Sequence, residues 1–254
     1  MLLVVDVGNT HTVLGLYEDD ELVHHFRIQS ARGRTEDEFL VMITSLLNTV
    51  GLETEDVHAS ILASVVPTLT DCLVRALKRC FEHVPVVVGP GIKTGMPILY
   101  ENPREVGADR IVNAIAAYER ARGGLIVVDF GTATTFDCVS PRGEYLGGAI
   151  SPGIKLSAEA LFARAARLPK IEINKPPHAV GRNTVHSMQS GLIYGYVALV
   201  DGMVERLRNE MDCPVTVLAT GGEAPQIASE SKTIDEVDEF LTLDGLRLLF
   251  ERQR

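Results

Sequence analysis

A chain of 254 residues, 46% hydrophobic and 23% charged, holds enough apolar material for one large or two modest cored domains. Its net charge of −10, with Lys and Arg scattered along the chain, is the wrong footprint for a nucleic-acid binder, which draws most of its affinity from neutralising phosphates. No apolar run approaches the ~20 residues of a membrane span, and Met1 to Val5 lacks the basic flank of a signal peptide. The four cysteines form neither a CxxC pair nor a cluster with histidine, so reduced thiols in the cytoplasm are expected.

The first half reads as three strands in quick succession, Leu2 to Asp6, Thr12 to Tyr17 and Leu22 to Ile28, the last two joined by the acidic turn Glu18 to Asp20. Thr35 with Glu38 predicts a capping box, and Phe39, Ile43, Leu46, Leu47 and Val50 follow at helical spacing up to Gly51. A buried strand over His58 to Val66, a helix over Thr70 to Phe81, a strand over Pro85 to Val88 and a helix carrying Ile111, Val112, Ile115 and Tyr118 come next. The second half repeats the plan. Strands are predicted at Leu125 to Asp129, Thr134 to Val139 and Glu144 to Ile150, then a helix at Leu156 to Ala166 and a polar, proline-bearing stretch from Pro169 to His178. A long helix from Thr184 to Met211, a strand at Val215 to Ala219, a short helix, a strand at Thr233 to Val237 and a helix from Asp244 to Arg252 complete the chain.

Each half therefore opens with strand, Asp-x-Gly, strand, turn, strand, and Asp6 and Asp129 stand about half the chain apart. The fold class expected is α/β, two similar lobes of mixed β-sheet flanked by helices, spanning 1–122 and 123–254. Asp6, Gly8, Asn9 and Thr10 have two readings. They are ordinary hairpin-turn residues, or a phosphate loop in which glycine admits the backbone and the acid holds a hydrated cation. Asp129, Gly131, Thr132, Thr134 and Thr135 occupy the matching place, and two such loops, one per half, favour a grip on a triphosphate.

With these loops the chain resembles the superfamily of actin, sugar kinases and heat-shock chaperone ATPases, a ribonuclease H-like duplication. Within it, DVGNT at Asp6 to Thr10 and DFGTATT at Asp129 to Thr135 are similar to the phosphate loops of type III pantothenate kinases. YENPREVGADR at Tyr100 to Arg110, GGAISPG at Gly147 to Gly153 and GRNT at Gly181 to Thr184 agree in the same order. The resemblance implies ATP-dependent phosphorylation of pantothenate, with magnesium accompanying ATP. It implies ATP contacts along Asp6, Val7, Gly8, Asn9, Thr10, His11, Thr12 and Val13 and at Thr132, although the sequence gives His11 no definite role. Pantothenate would meet Tyr100, Gly107, Ala108, Asp109, Arg110 and Thr184, with Asp109 as the base. Asp129 would hold either a divalent ion, by the logic of the superfamily, or potassium or ammonium, as the family implies and as is favoured here. Arg182 stands where the family commonly has lysine.

Read without the resemblance, Asp109 and Thr184 are sufficient as helix N-caps and Tyr100 as a packed aromatic. Arg110 is less easily dismissed, because a cation in a first helical turn opposes the helix dipole, and Arg grips carboxylates in a bidentate fashion. Gly191, Gly195 and Gly202 suggest close helix approach, which the resemblance makes a homodimer interface, with Thr184 serving the neighbour's site. Gly221 and Gly222 leave room for adenine and ribose, or simply end a strand. Adjacent His24 and His25 point to opposite strand faces, a poor metal site, and no GxxxxGK[ST] is present. The rivals are a kinase of the same fold acting on another small alcohol, such as a sugar, and a non-catalytic regulator binding ATP or nucleic acid.

Overall fold

The computed structural model describes residues 1–254, and the chain folds as two compact units. The first comprises Met1–Gly95, Asn102–Ala116 and Leu241–Arg254; the second comprises Met96–Glu101 and Ala117–Phe240. These units interleave in sequence, in contrast to the contiguous halves read from the repeat.

In the first unit, β1 (Leu2–Val7), β2 (His11–Glu18) and β3 (Glu21–Gln29) form an antiparallel meander, and β4 (Ala59–Ser64) and β5 (Val86–Val87) join it in parallel, in the order β3-β2-β1-β4-β5. Alternation along β1 serves two layers. Leu3, Val5 and Val7 pack with Phe39, Ile43 and Leu47 of α1 (Glu36–Thr49) and Leu69, Leu73 and Leu77 of α2 (Pro67–Phe81). The opposite face, with Val4 and Gly15, meets Leu243 at the start of α7 (Leu241–Glu251), and a methyl group on Gly15 would strike both. Tyr17 of β2 donates to Asp244 of α7 at 2.5 Å, and Thr242 of α7 donates to Asn113 of α3 (Ala108–Ala121) at 2.7 Å. The capping box expected at Thr35 and Glu38 is formed.

The second unit repeats the plan. Its sheet runs β8-β7-β6-β9-β10, built from β6 (Gly124–Phe130), β7 (Ala133–Val139), β8 (Tyr145–Pro152), β9 (Val215–Gly221) and β10 (Glu236–Val237). Ile126, Val128, Phe130 and Phe136 pack under Ile193, Val197, Val200 and Val204 of α5 (Thr184–Met211), and α4 (Ile154–Arg164) and α6 (Ala224–Ala228) complete the layer. The order of antiparallel meander followed by parallel strands is the same in both sheets, which is the architecture expected for a duplication.

Two expected elements differ. The strand at Thr233 to Val237 shortens to Glu236–Val237, because Ser231 and Thr233 donate their hydroxyls to Asp201 and bend the chain before it can pair. The last helix, read as part of the second half, belongs to the first unit, where it covers the second face of the sheet. No helix is long and apolar enough to cross a membrane.

Candidate active site

At the end of β1, Asp6 pairs in register with Val13 of β2 and Ala63 of β4, and in the second unit Asp129 pairs with Thr135 of β7 and Thr220 of β9. The two acids therefore hold equivalent positions in equivalent sheets. The turn after Asp6 is closed by Gly8 N–H donating to the His11 carbonyl at 3.0 Å, which leaves Asn9, Thr10 and His11 exposed. Ser30 buttresses the turn: its amide donates to Thr10 O at 2.9 Å, and its hydroxyl meets the buried Thr12 hydroxyl at 2.9 Å. Val7 and Thr12 are fully buried, so of the expected ATP contacts these two present no exposed surface. Arg32, two residues beyond Ser30, donates to the Asn9 side chain at 3.4 Å.

The second loop is built more tightly. Gly131 N–H donates to Ala133 O, and Gly153 N–H donates to Thr132 O, both at 3.0 Å. Gly153 is the N-cap of α4, and a Cβ there would lie 2.5 Å from Thr132 O, so this position must be glycine for the loop to sit where it does. Gly221 ends β9 at φ +94, and a Cβ on it would lie 2.8 Å from Asp129 Oδ1. The space beside Asp129 is thus kept open by backbone geometry. No group of three or more His, Cys, Asp or Glu is gathered for a metal, so a divalent ion would lean on ligands from the nucleotide.

Asp109 and Arg110 lie in the first turn of α3. Ala108, not Asp109, begins the helix, and the Asp109 carboxylate accepts the Arg110 amide at 2.9 Å. Gly107 makes room for it, since a Cβ there would come within 2.5 Å of Asp109 Oδ1. Asp109 keeps part of its surface open to solvent, but protein crowds its carboxyl, and this desolvation raises its pKa above the ordinary aspartate value. The Arg110 amide and guanidinium pull the other way without cancelling it. Arg110 itself is 7% exposed, an uncommon degree of burial for a cation.

Tyr100 belongs to the second unit. Residues 97–99 pair with Tyr145 of β8 through Tyr145 N–H to Pro97 O and Leu99 N–H to Tyr145 O, both at 2.8 Å. The Tyr100 ring then lies over Gly147, whose φ of +114 no other residue tolerates well. The neighbouring Tyr145 is fully buried and donates to Asp137 at 2.7 Å, and Thr135 donates to the same carboxylate at 2.9 Å. Thr184 is exposed at the start of α5, and Asn183 is the cap, accepting from the His186 amide at 2.8 Å. The Thr184 hydroxyl is thereby released from the capping duty its position suggested.

The first unit thus gathers Asp6 to Val13 and Gly107 to Arg110, and the second gathers Tyr100, Asp129, Thr132 and Thr184. Gly153, Ser30 and Asp137 are not singled out by the sequence, and Gly221 is read there only as room for adenine and ribose or as a strand end. Of the three, Gly153 alone carries a signal, as the last residue of GGAISPG. A solvent-open cavity of about 630 Å³ near Leu2, Tyr17, His58 and Phe250 lies at the start of β1, away from Asp6, and holds none of these residues.

A duplicated pair of meander-plus-parallel sheets, each ending its first strand on an acid-glycine turn, defines the actin-like class of kinases and ATPases. The inorganic polyphosphate/ATP-glucomannokinase of an Arthrobacter strain shares this fold across 100% of this chain and 99% of its own, with a TM-score of 0.53 at 10% identity. A Campylobacter jejuni protein named for the Baf family of transcriptional activators does so over 99% and 98%, with a TM-score of 0.61 at 20% identity. At these identities the likeness is one of fold. Sequence is more specific. Residues 2–206 match the profile of the type III pantothenate kinases. Proteins of that name from Myxococcus xanthus and an Anaeromyxobacter species are 57% and 59% identical, covering 99% and 100% of this chain and 98% and 100% of theirs. The chain belongs to the type III pantothenate kinase family.

Proposed function

We infer that this chain transfers the γ-phosphoryl group of ATP to the primary hydroxyl of pantothenate, giving ADP and 4′-phosphopantothenate, the first step of coenzyme A biosynthesis. The observation that carries the reading is Asp109. In a family whose reaction needs a base for an alcohol, this chain holds a carboxyl of raised pKa on a rigid helix start, beside a buried arginine. Raised basicity makes Asp109 a better proton acceptor than an exposed aspartate, and general-base help of this kind is worth ~10²–10⁴ in rate.

In this reading the backbone and side chains from Asp6 to Val13, together with Thr132, hold the phosphates. Arg110 anchors the pantothenate carboxylate, and Tyr100, Gly107, Ala108 and Thr184 complete the substrate site. Asp109 takes the hydroxyl proton as the new O–P bond forms and the bond to ADP breaks. Magnesium on the ATP phosphates, with potassium or ammonium beside Asp129, supplies the positive charge that phosphoryl transfer draws on. The protein works in the cytoplasm, and its α5 glycines face a second copy in a homodimer.

Pantothenate-dependent ADP release, measured with and without potassium for the native chain and for Asp109→Asn, tests this. The expected outcome is turnover that potassium stimulates and that Asp109→Asn lowers by ~10²–10⁴. A sugar phosphorylated faster than pantothenate, or a salt-sensitive DNA complex without ATP turnover, would overturn it.

A further inference from the structure

We propose that Arg32 is a further phosphate-binding residue of this kinase, a guanidinium set beside the first loop to contact the terminal phosphoryl oxygens of ATP. The inference rests on the reading of Asp6 to Thr10 as a phosphate loop and extends it to a residue outside that motif.

Charge balance raises the question. A nucleoside triphosphate carries about four negative charges at neutral pH, and positive groups on the transferred phosphoryl are the main electrostatic device of such enzymes. The first loop and the strands it joins, Leu2 to Glu18, contain no Lys or Arg. Arg27 and Arg32 are the first cations in the chain. Arg27 lies within β3, opposite Val13, while Arg32 follows the end of that strand, where the chain has just been tied to the loop.

The tie is firm. Ser30 donates its amide to Thr10 O and shares its hydroxyl with Thr12, both at 2.9 Å, the second bond buried. A turn then closes, with Arg34 N–H donating to Ala31 O at 3.1 Å. This geometry delivers the Arg32 guanidinium to the Asn9 side chain at the tip of the loop.

Arg32 is also left uncommitted by its surroundings. Glu36, Asp37 and Glu38 follow it closely and are the obvious ion-pair partners, yet each is used elsewhere. Glu36 pairs with Arg79 and Arg75 at 2.7 and 3.0 Å, and Asp37 pairs with Arg79 at 2.9 Å. Glu38 closes the capping box on Thr35. Arg34, the other cation of the turn, reaches back to Met42 and the face of Phe39. The Asn9 oxygen is a weak, neutral acceptor at 3.4 Å, readily exchanged for a phosphate oxygen. The arginine plays no covalent part; it donates to non-bridging oxygens as charge develops on them.

The test compares the native full chain with Arg32→Ala and Arg32→Lys, measuring affinity for magnesium complexes of a non-hydrolysable ATP analogue, ADP and AMP, together with steady-state kinetics. Asn9→Ala and Gly8→Val report on the loop itself. A charge-assisted contact predicts a loss of about 10- to 100-fold in triphosphate affinity and in kcat for Arg32→Ala. A smaller loss is expected for ADP and none for AMP, with unchanged KM for pantothenate and partial rescue in Arg32→Lys. Equal losses for ATP analogue, ADP and AMP, or values within twofold of native, would overturn the role given to Arg32. If the loop variants also leave nucleotide affinity intact, the phosphate-loop reading falls with it; if they abolish binding while Arg32→Ala does not, only this inference fails.

Discussion

Gly153→Ala is the substitution whose effect follows most directly from geometry. A methyl carbon at this N-cap would lie 2.5 Å from Thr132 O, against an ordinary carbon–oxygen separation of about 3.3–3.6 Å. The overlap of about 1 Å is with backbone on both sides, so the Gly131–Thr132 loop must move, and the 3.0 Å bond from Gly153 N–H to Thr132 O breaks. Overpacking of this kind costs about 1–3 kcal/mol, and in a protein of this size each kcal/mol lowers Tm by about 2–4 °C. A misplacement near 1 Å in a positioning element lowers rate by ~10². The expected outcome is a raised KM for ATP and a fall of about 10² in kcat/KM for ATP, with an unchanged KM for pantothenate. Gly131→Ala is the control, because its Cβ would meet only Ala133 O at 3.4 Å. It should leave Tm nearly unchanged while weakening ATP, where the methyl meets phosphate. Native ATP kinetics in Gly153→Ala would refute the claim that this contact sets the loop.

Asp109→Asn should lower kcat by ~10²–10⁴ and yet raise thermal stability at neutral pH. The folded carboxyl has a raised pKa, so ionising it favours the unfolded chain, and the native protein loses stability as pH climbs from the ordinary aspartate value through the folded one. The gap between variant and native Tm should therefore close on acidification towards pH ~4, and a gap independent of pH would contradict it. Gly191→Ala with Gly195→Ala places methyl groups where nothing stands within 4 Å, which should stabilise the isolated fold by about 0.5–1 kcal/mol per site. If a second copy covers that face, sedimentation will show weakened dimers; unchanged association with raised Tm would remove α5 from the interface. Tyr17→Phe deletes the 2.5 Å bond to Asp244 that ties β2 to α7. Urea unfolding should show a loss of about 1.5–3 kcal/mol, and a change below 0.5 kcal/mol, the level of an ordinary surface substitution, would show that the bond is dispensable.

Most strands and helices are legible in the sequence because their signals are local. Short apolar runs mark β1 and β6, Thr35 and Glu38 announce α1, and the apolar repeat from Thr184 to Met211 marks α5. What escaped depends on contacts distant in sequence. That α7 closes the first unit rests on Tyr17 meeting Asp244, 227 positions away, and no periodicity can announce that. Likewise, Gly221 earns its place only because Asp129 Oδ1 stands beside it, and Thr184 looks like a cap until Asn183 is seen to take the task. Short strands such as Glu236–Val237 fail for the opposite reason, since local hydroxyl-to-Asp201 bonds override a favourable β-forming run.

The surroundings of Asp109 reconcile two opposed demands. A base for an alcohol gains from desolvation, which lifts its pKa, whereas a carboxylate in a first helical turn is held ionised by the helix dipole and by the adjacent Arg110 amide. Burial wins here, and the residue that permits it is Gly107. With any side chain at 107, Asp109 Oδ1 would be displaced from the place it now fills, 2.5 Å from where that Cβ would be. Gly107, Asp109 and Arg110 in GADR therefore bear on one carboxyl. Gly107 leaves room for the carboxyl, desolvation raises its pKa, and Arg110 keeps it from becoming too reluctant to ionise.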